Sequence, residues 1–409
     1  GVGRSLGDMS TAKLIGAIDQ GTQSSRFLLF DGLGKMVQSA SFPVTSTHPE
    51  PGWSQQNPEA IYAGVKATVA ECIDQYVKSH GAKPEIAGVG LTNQRETTVL
   101  WSKKTGNVLY PAIVWNDSRT KPLCEKLVKR LGNRDHFKER CGLPISSYFS
   151  AMKIRWLIEN EGAVREAIET EDCLFGTMDS WLLWKLSSGK VHVTDTTNAS
   201  RTMLMNIKTL QWDESICRDL EIPMHILPRI VNSAEHIMEI CDPGTPLLEG
   251  VPVLGCIGDQ QAALVGNGCL HRGDVKNTYG TGSFCLMNSG SSPSFCSQGL
   301  LTTVAFTMAP GAVSEDRKVC YAVEGSVASA GSALSWAIHG LGMADSPAQA
   351  SAIAASVESS EGMYVVPAFS GLLAPYWRDD ARGVIVGLTQ KINRAHFLRS
   401  VIEAAAFQT

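Results

Sequence analysis

Leu14-Ile15-Gly16-Ala17-Ile18-Asp19-Gln20-Gly21-Thr22-Gln23-Ser24-Ser25-Arg26-Phe27-Leu28-Leu29-Phe30 says most about the architecture of this chain. The apolar run Leu14 to Ile18 predicts a buried strand, and Phe27 to Phe30 predicts its partner. Between them, Asp19 to Arg26 crowds hydroxyls, amides and a guanidinium into one tight turn. Backbone N–H groups and hydroxyls in such a turn wrap phosphates. A carboxylate at the strand end is placed to hold a metal ion through water. Taken alone, the octet is equally a polar hairpin. A second turn of the same kind, Asn277-Thr278-Tyr279-Gly280-Thr281-Gly282, stands far downstream. Two such turns, each heading one half of the chain, favour phosphate binding.

At 409 residues the chain is too long for one ordinary core, so two domains are expected. Hydrophobic content of 44%, charged content of 19% and 38 glycines describe a soluble α/β protein. A net charge of -4 and no basic stripe leave no electrostatic reason to expect nucleic acid. The 11 cysteines contain no C-x-x-C pair, which argues for reduced thiols in a cytosol over disulfides or zinc. The nine histidines show no ligand spacing. No run approaches the length of a membrane span, so no transmembrane segment is expected. Residues 1–10, polar and glycine-rich, read as a leader or disordered tail.

Apolar residues at Ile61, Val65, Val69 and Cys72 predict a helix over Pro58–Lys78. Ile86–Leu91 is a short buried strand that delivers Asn93-Gln94-Arg95-Glu96 at its carboxyl end. Strand-like flanks on both sides predict that alternate members of this tetrad face one crevice. Arg95 puts donors beside the acceptors of Glu96, a combination that recognises adjacent hydroxyls. Pro252–Ile257 reads as the strand opening the second half, giving domains over 11–252 and 253–409. It ends in Gly258-Asp259-Gln260-Gln261, with Asp259 where α/β folds place ligand sites. An aspartate there is also a common helix cap. As a general base, it would take the hydroxyl proton in a phosphoryl transfer. Trp115, Tyr148 and Phe284 are candidates for a small apolar wall, although such aromatics serve equally as core.

Further motifs carry a resemblance. They are Asp19-Gln20-Gly21-Thr22, Gly90-Leu91-Thr92-Asn93-Gln94-Arg95-Glu96, Ala112-Ile113-Val114-Trp115, and Tyr148-Phe149-Ser150 with Lys153 and Trp156. Asn198-Ala199-Ser200-Arg201-Thr202, Gly258-Asp259-Gln260-Gln261, Ala374-Pro375-Tyr376-Trp377 and the segment Gly383 to Glu403 follow. Along nearly its whole length the chain resembles the FGGY family of carbohydrate kinases, and within it the members that phosphorylate glycerol. The resemblance implies a two-domain actin-like ATPase (ribonuclease H-like) α/β fold closing on ATP and Mg2+. It implies phosphorylation of glycerol to sn-glycerol 3-phosphate, with Asp259 as the base. Arg95, Glu96, Tyr148, Asp259 and Gln260 would hold the glycerol hydroxyls, with Trp115 and Phe284 against its carbons. Thr22, Gln23, Ser24, Arg26, Thr281, Gly331 and Ser335 would meet the nucleotide, and Asp19 with Asp259 would serve the metal.

The same resemblance implies a cytoplasmic enzyme, open to peripheral mitochondrial association in a eukaryote, and a homo-oligomer at full length. Gln23 departs from the family's usual threonine or serine, and Ser335 stands where a longer polar side chain is common. Asp242-Pro243-Gly244-Thr245 lacks the arginine-bearing, glycine-rich loop with which bacterial relatives bind fructose 1,6-bisphosphate. Family members continue past the equivalent of Thr409 with residues that hold adenosine, so the second domain is expected to be incomplete. The competing readings are a kinase for another polyol or sugar, and a non-catalytic truncated form that binds without turnover.

Overall fold

The computed structural model describes residues 13–409 apart from 310, 312–317, 370 and 379, so the tail reading of residues 1–10 lies outside the described residues. Strands β1 (Leu14–Gln20), β2 (Ser24–Phe30) and β3 (Met36–Pro43) form an antiparallel meander. Helix α1 (Pro58–His80) follows. Asn57 starts it by accepting from the Glu59 and Ala60 N–H groups, and Gly81 ends it at φ 73. The apolar stripe of α1 packs on Ile18, Phe27 and Leu29 of the meander, as the period of Ile61, Val65, Val69 and Cys72 predicts.

Strand β4 (Ile86–Asn93) then lies parallel to β1. Helix α2 (Met178–Leu186) adds Trp181 and Leu183 to the same core. Strand β5 (Ala234–Glu239) runs antiparallel to β6 (Pro252–Gly258), which is itself parallel to β4. The six-stranded sheet therefore has the order β5-β6-β4-β1-β2-β3. Here the structure departs from expectation. The strand Pro252–Gly258 does not open the second half; it completes the first sheet. An apolar run says that a strand is buried, not which sheet buries it, and here the parallel ladder to β4 decides. The first half thus extends at least through Gly258, beyond residue 252.

Helix α3 (Asp259–Gly266) leads to the second sheet. Strands β7 (Val275–Tyr279), β8 (Ser283–Gly290), β9 (Leu301–Thr307) and β10 (Val319–Val327) pair in the order β7-β8-β10-β9. All neighbours there are antiparallel, so the opening hairpin echoes β1–β2. Helices α4 (Pro347–Ala355) and α5 (Arg394–Phe407) gather Ala350, Ala354, Phe397, Leu398 and Val401 into a separate small core.

The halves meet along a polar seam. The Thr196 and Thr307 hydroxyls lie 2.7 Å apart, those of Ser200 and Thr303 2.8 Å apart, and Gln261 Nε2 donates to the Val304 carbonyl at 3.1 Å. Because β1, β4 and β6 are mutually parallel, their carboxyl ends reach one edge together, with Asp19 beside Thr92 and Thr92 beside Ile257. Everything that follows those strands is delivered to that edge.

Candidate active site

The β1–β2 turn supplies Thr22 and Gln23, the segment after β4 supplies Arg95 and Glu96, and α3 begins with Asp259 and Gln260. The β7–β8 hairpin adds Thr278, Gly280, Thr281, Gly282 and Phe284 from the other half. With Trp115 and Tyr148 these residues enclose a cavity of about 240 Å³. Ordinary small-molecule pockets run to roughly 300–1,000 Å³, so this one suits a small ligand.

Arg95 and Glu96 both line the cavity, which strand alternation does not predict. Strand β4 ends at Asn93, and Glu96 adopts φ 59, a left-handed turn that brings consecutive side chains to one side. Asn93 and Gln94 are structural instead. Asn93 Nδ2 donates to Asn198 Oδ1 at 3.0 Å, and Gln94 Nε2 donates to Gln56 Oε1 at 2.8 Å. The Arg95 fork donates to both oxygens of Glu324, at 2.7 and 2.8 Å, and its Nε lies 3.5 Å from Asp259 Oδ1. Gly258 gives the arginine room, since a Cβ there would fall 2.8 Å from Arg95 Cγ and Cδ.

Glu96 in turn accepts from Arg201 Nε at 2.6 Å, and Arg201 Nη1 lies 3.3 Å from Glu324. Two arginines and two glutamates, each side chain 2% exposed or less, thus form one neutral buried quartet. Burial by itself would raise the Glu324 carboxyl; Arg201 and Arg95 outweigh it and hold the pKa down to about 2. Arg201 and Glu324 were not among the residues expected from the sequence to build the site. Their signal is a lone charge in a hydroxyl-rich or apolar run, as in Tyr321-Ala322-Val323-Glu324.

Asp259 opens α3. Its Oδ1 accepts from the Gln260 N–H at 2.7 Å and faces Arg95, while Oδ2 has no protein partner among the described residues. The side chain is 32% exposed and lines the cavity. Burial raises its pKa to about 6, with Arg95 opposing and Glu96 adding to the rise. Behind Gln260 stands Lys276, a third residue that the sequence reading missed; burial brings its pKa down to about 8.

The aromatic wall is present. Trp115 meets Tyr148 edge-on at 5.8 Å and Phe284 at 5.7 Å. Its indole N–H donates to Thr22 Oγ1 at 2.9 Å, joining the wall to the first turn. Lys153, fully buried, donates to the Tyr148 carbonyl at 2.5 Å and fixes that corner.

Of the residues expected to meet a nucleotide, Thr22, Gln23 and Thr281 line the cavity, and Ser24, Arg26, Gly331 and Ser335 do not. Gln23 Nε2 donates to Thr281 Oγ1 at 3.3 Å, so the two turns touch across the halves. The Ser24 carbonyl closes the first turn by accepting from the Gly21 N–H at 2.8 Å. Arg26 is ion-paired with Asp19, its cross-strand neighbour. The Gly331 N–H donates to the Gly280 carbonyl at 2.9 Å, and a Cβ at Gly331 would lie 2.6 Å from that oxygen. Ser335 is exposed on the short helix Gly331–Ser335. Asp19 stands next to the last residue of β1 and Asp259 follows β6, so both carboxylates stand at this edge, Asp259 lining the cavity and Asp19 outside its lining. Among the described residues no helix is long and apolar enough to cross a membrane.

Residues 14–266 match the N-terminal domain of the FGGY family of carbohydrate kinases, and residues 275–409 match its C-terminal domain. A glycerol kinase of Arabidopsis thaliana is 48% identical over 399 residues, spanning 96% of this chain and 75% of that protein. A probable glycerol kinase of Dictyostelium discoideum is 46% identical and spans 97% of this chain and 79% of its own length. Among solved structures, Plasmodium falciparum glycerol kinase with ADP is similar at a TM-score of 0.84 and 37% identity, covering 97% of this chain and 77% of that one. Gluconate kinase from Lactobacillus acidophilus shares the fold at 23% identity, with a TM-score of 0.80 over 97% of this chain and 76% of that one.

Proposed function

The chain belongs to the FGGY family of carbohydrate kinases, and from that premise we propose how its residues divide the work. It is a phosphotransferase of the two-domain actin-like fold that phosphorylates glycerol with ATP. In our reading the halves divide in the segment 267–274, between α3 and β7. The product is sn-glycerol 3-phosphate, formed by attack of a primary hydroxyl.

Asp259 acts as general base through Oδ2, the oxygen that neither Arg95 nor the Gln260 N–H engages. Arg95, Glu96, Tyr148 and Gln260 orient the hydroxyls, while Trp115 and Phe284 lie against the carbons and exclude water. The buried quartet keeps Arg95 and Glu96 in place, so neither has to reorganise when the substrate arrives. Thr22, Gln23 and Thr281 face the phosphates, while Ser24 and Arg26 lie on β2 just after the first turn and Gly331 and Ser335 on the short helix behind the second. Eleven free cysteines support a reducing, cytoplasmic setting.

Magnesium prefers a few carboxylate oxygens and retains water. Asp19 and Asp259 fit that requirement: both stand at the carboxyl edge of the first sheet, and the ion would compete with Arg26, 52% exposed, for Asp19. The ion, when bound, supplies charge neutralisation for the transferring phosphoryl group.

The observation that carries this reading is an open carboxylate oxygen inside a 240 Å³ cavity that also holds the Arg95–Glu96 pair and the aromatic wall. A larger sugar would need more room. The test is a coupled ADP-release assay across glycerol, xylulose and gluconate, with glycerol as the expected substrate. Absence of glycerol-dependent ADP would sink the reading. Asp259→Asn should lower kcat by about 10²- to 10⁴-fold and leave glycerol binding, followed by tryptophan fluorescence, intact. A near-normal rate would remove Asp259 as the base.

A further inference from the structure

We propose that Lys276 is a positioning residue for the transfer, locking the Gln260 side-chain amide so that its nitrogen and not its oxygen faces the polyol. The inference rests on the glycerol-phosphorylating reading above. Lys276 lies on β7, 5% exposed. Its Nζ donates to Gln260 Oε1 at 2.6 Å, to Thr278 Oγ1 at 3.0 Å and to the Phe284 carbonyl at 3.2 Å. An ammonium has three N–H donors and no acceptor. All three donors are engaged here, so the group cannot turn away, and the amide atom facing it must be an oxygen. A planar amide held by its oxygen presents its nitrogen on the opposite side. Gln260 Nε2 has no protein partner among the described residues, and Gln260 lines the cavity next to Asp259.

The geometry sets an acceptor and a donor side by side. Asp259 Oδ2 takes a hydroxyl proton, and Gln260 Nε2 donates to a substrate oxygen. Without the ammonium the two flips of the amide approach each other in energy, and in one of them an oxygen faces the cavity beside a carboxylate. In that flip Gln260 can only accept from a hydroxyl, and so competes with Asp259 for its proton. Lys276 therefore acts on the substrate only through Gln260. Its three bonds all run within the second half and α3 and none goes to the quartet, although the charges of Glu324 and Arg95 reach it.

The test uses the full chain with Lys276→Met, Lys276→Gln, Gln260→Ala and the double variant Lys276→Met/Gln260→Ala. Steady-state rates are measured with glycerol and with propane-1,2-diol. Lys276→Met should raise KM for glycerol about tenfold, the scale of one well-aligned hydrogen bond, with a much smaller change in kcat. It should also narrow the preference for glycerol over the diol. Lys276→Gln returns an N–H donor to Gln260 and should recover most of that KM. The double variant should be no worse than Gln260→Ala alone. A KM for Lys276→Met within about twofold of wild type, or losses that multiply in the double variant, would overturn the proposal. If Lys276→Met does not fold, Lys276→Ala takes its place in the same cycle: a raised KM that Gln260→Ala does not worsen supports the lock, and a KM within about twofold of wild type overturns it. A wild type that releases no ADP with glycerol overturns the substrate reading and this inference with it. A wild type active on glycerol with a multiplicative cycle overturns the role of Lys276 alone.

Discussion

As the proposed base, Asp259 has one oxygen to offer, because Oδ1 is already committed to the Gln260 N–H and to Arg95. Burial lifts its pKa to about 6, and a base must be deprotonated to act. kcat/KM for glycerol should therefore fall as pH drops through about 6 and level off above it. A profile measured from mildly acidic to neutral pH checks this; an acid limb near the ordinary carboxylate value of about 4 would contradict it. The pairing of Arg95 with Glu96 is legible in the sequence as donors beside acceptors. How they turn is not, since a positive φ at a glutamate follows from the loop's closure and not from the residue type. Glu324 is legible as a lone carboxylate in an apolar strand. Its partners are not, because Arg201 and Arg95 lie 123 and 229 positions away.

The strand–turn–strand elements read well from apolar runs, and both hairpins form where the sequence puts them. Strand β6 does not, since the same buried run suits either sheet and only the parallel ladder to β4 settles the choice. Close approach between elements is a further property that local sequence conceals. The helix beginning at Gly331 leans on the β7–β8 turn, with no space for a Cβ beside the Gly280 carbonyl. Gly331→Ala must push that turn aside. We expect KM for ATP to rise about tenfold, roughly 1.4 kcal/mol of lost binding, with KM for glycerol little changed. Comparable losses for both substrates would show that the turn serves the polyol as well.

The quartet of Arg95, Glu96, Arg201 and Glu324 fastens β10 of the second half to the first half at the site itself. Removing one carboxylate leaves two buried arginines sharing a single countercharge, and breaking such a pair costs about 3–5 kcal/mol. Glu324→Gln should therefore lower the urea midpoint clearly and raise KM for glycerol as Arg95 loosens. An unchanged midpoint would mean that the quartet positions without stabilising. The seam of hydroxyls around Thr303 and Thr307 continues the same joint in uncharged form. Trp115 spans it differently, holding Thr22 of the first turn by its indole N–H while its ring meets Phe284 of the other half. A polyol that moves the ring moves the turn, and a nucleotide that moves the turn moves the ring. By thermodynamic reciprocity, the factor by which one substrate changes the affinity of the other is the same in both directions. Trp115 is thus the contact through which we expect either substrate to change the dissociation constant of its co-substrate.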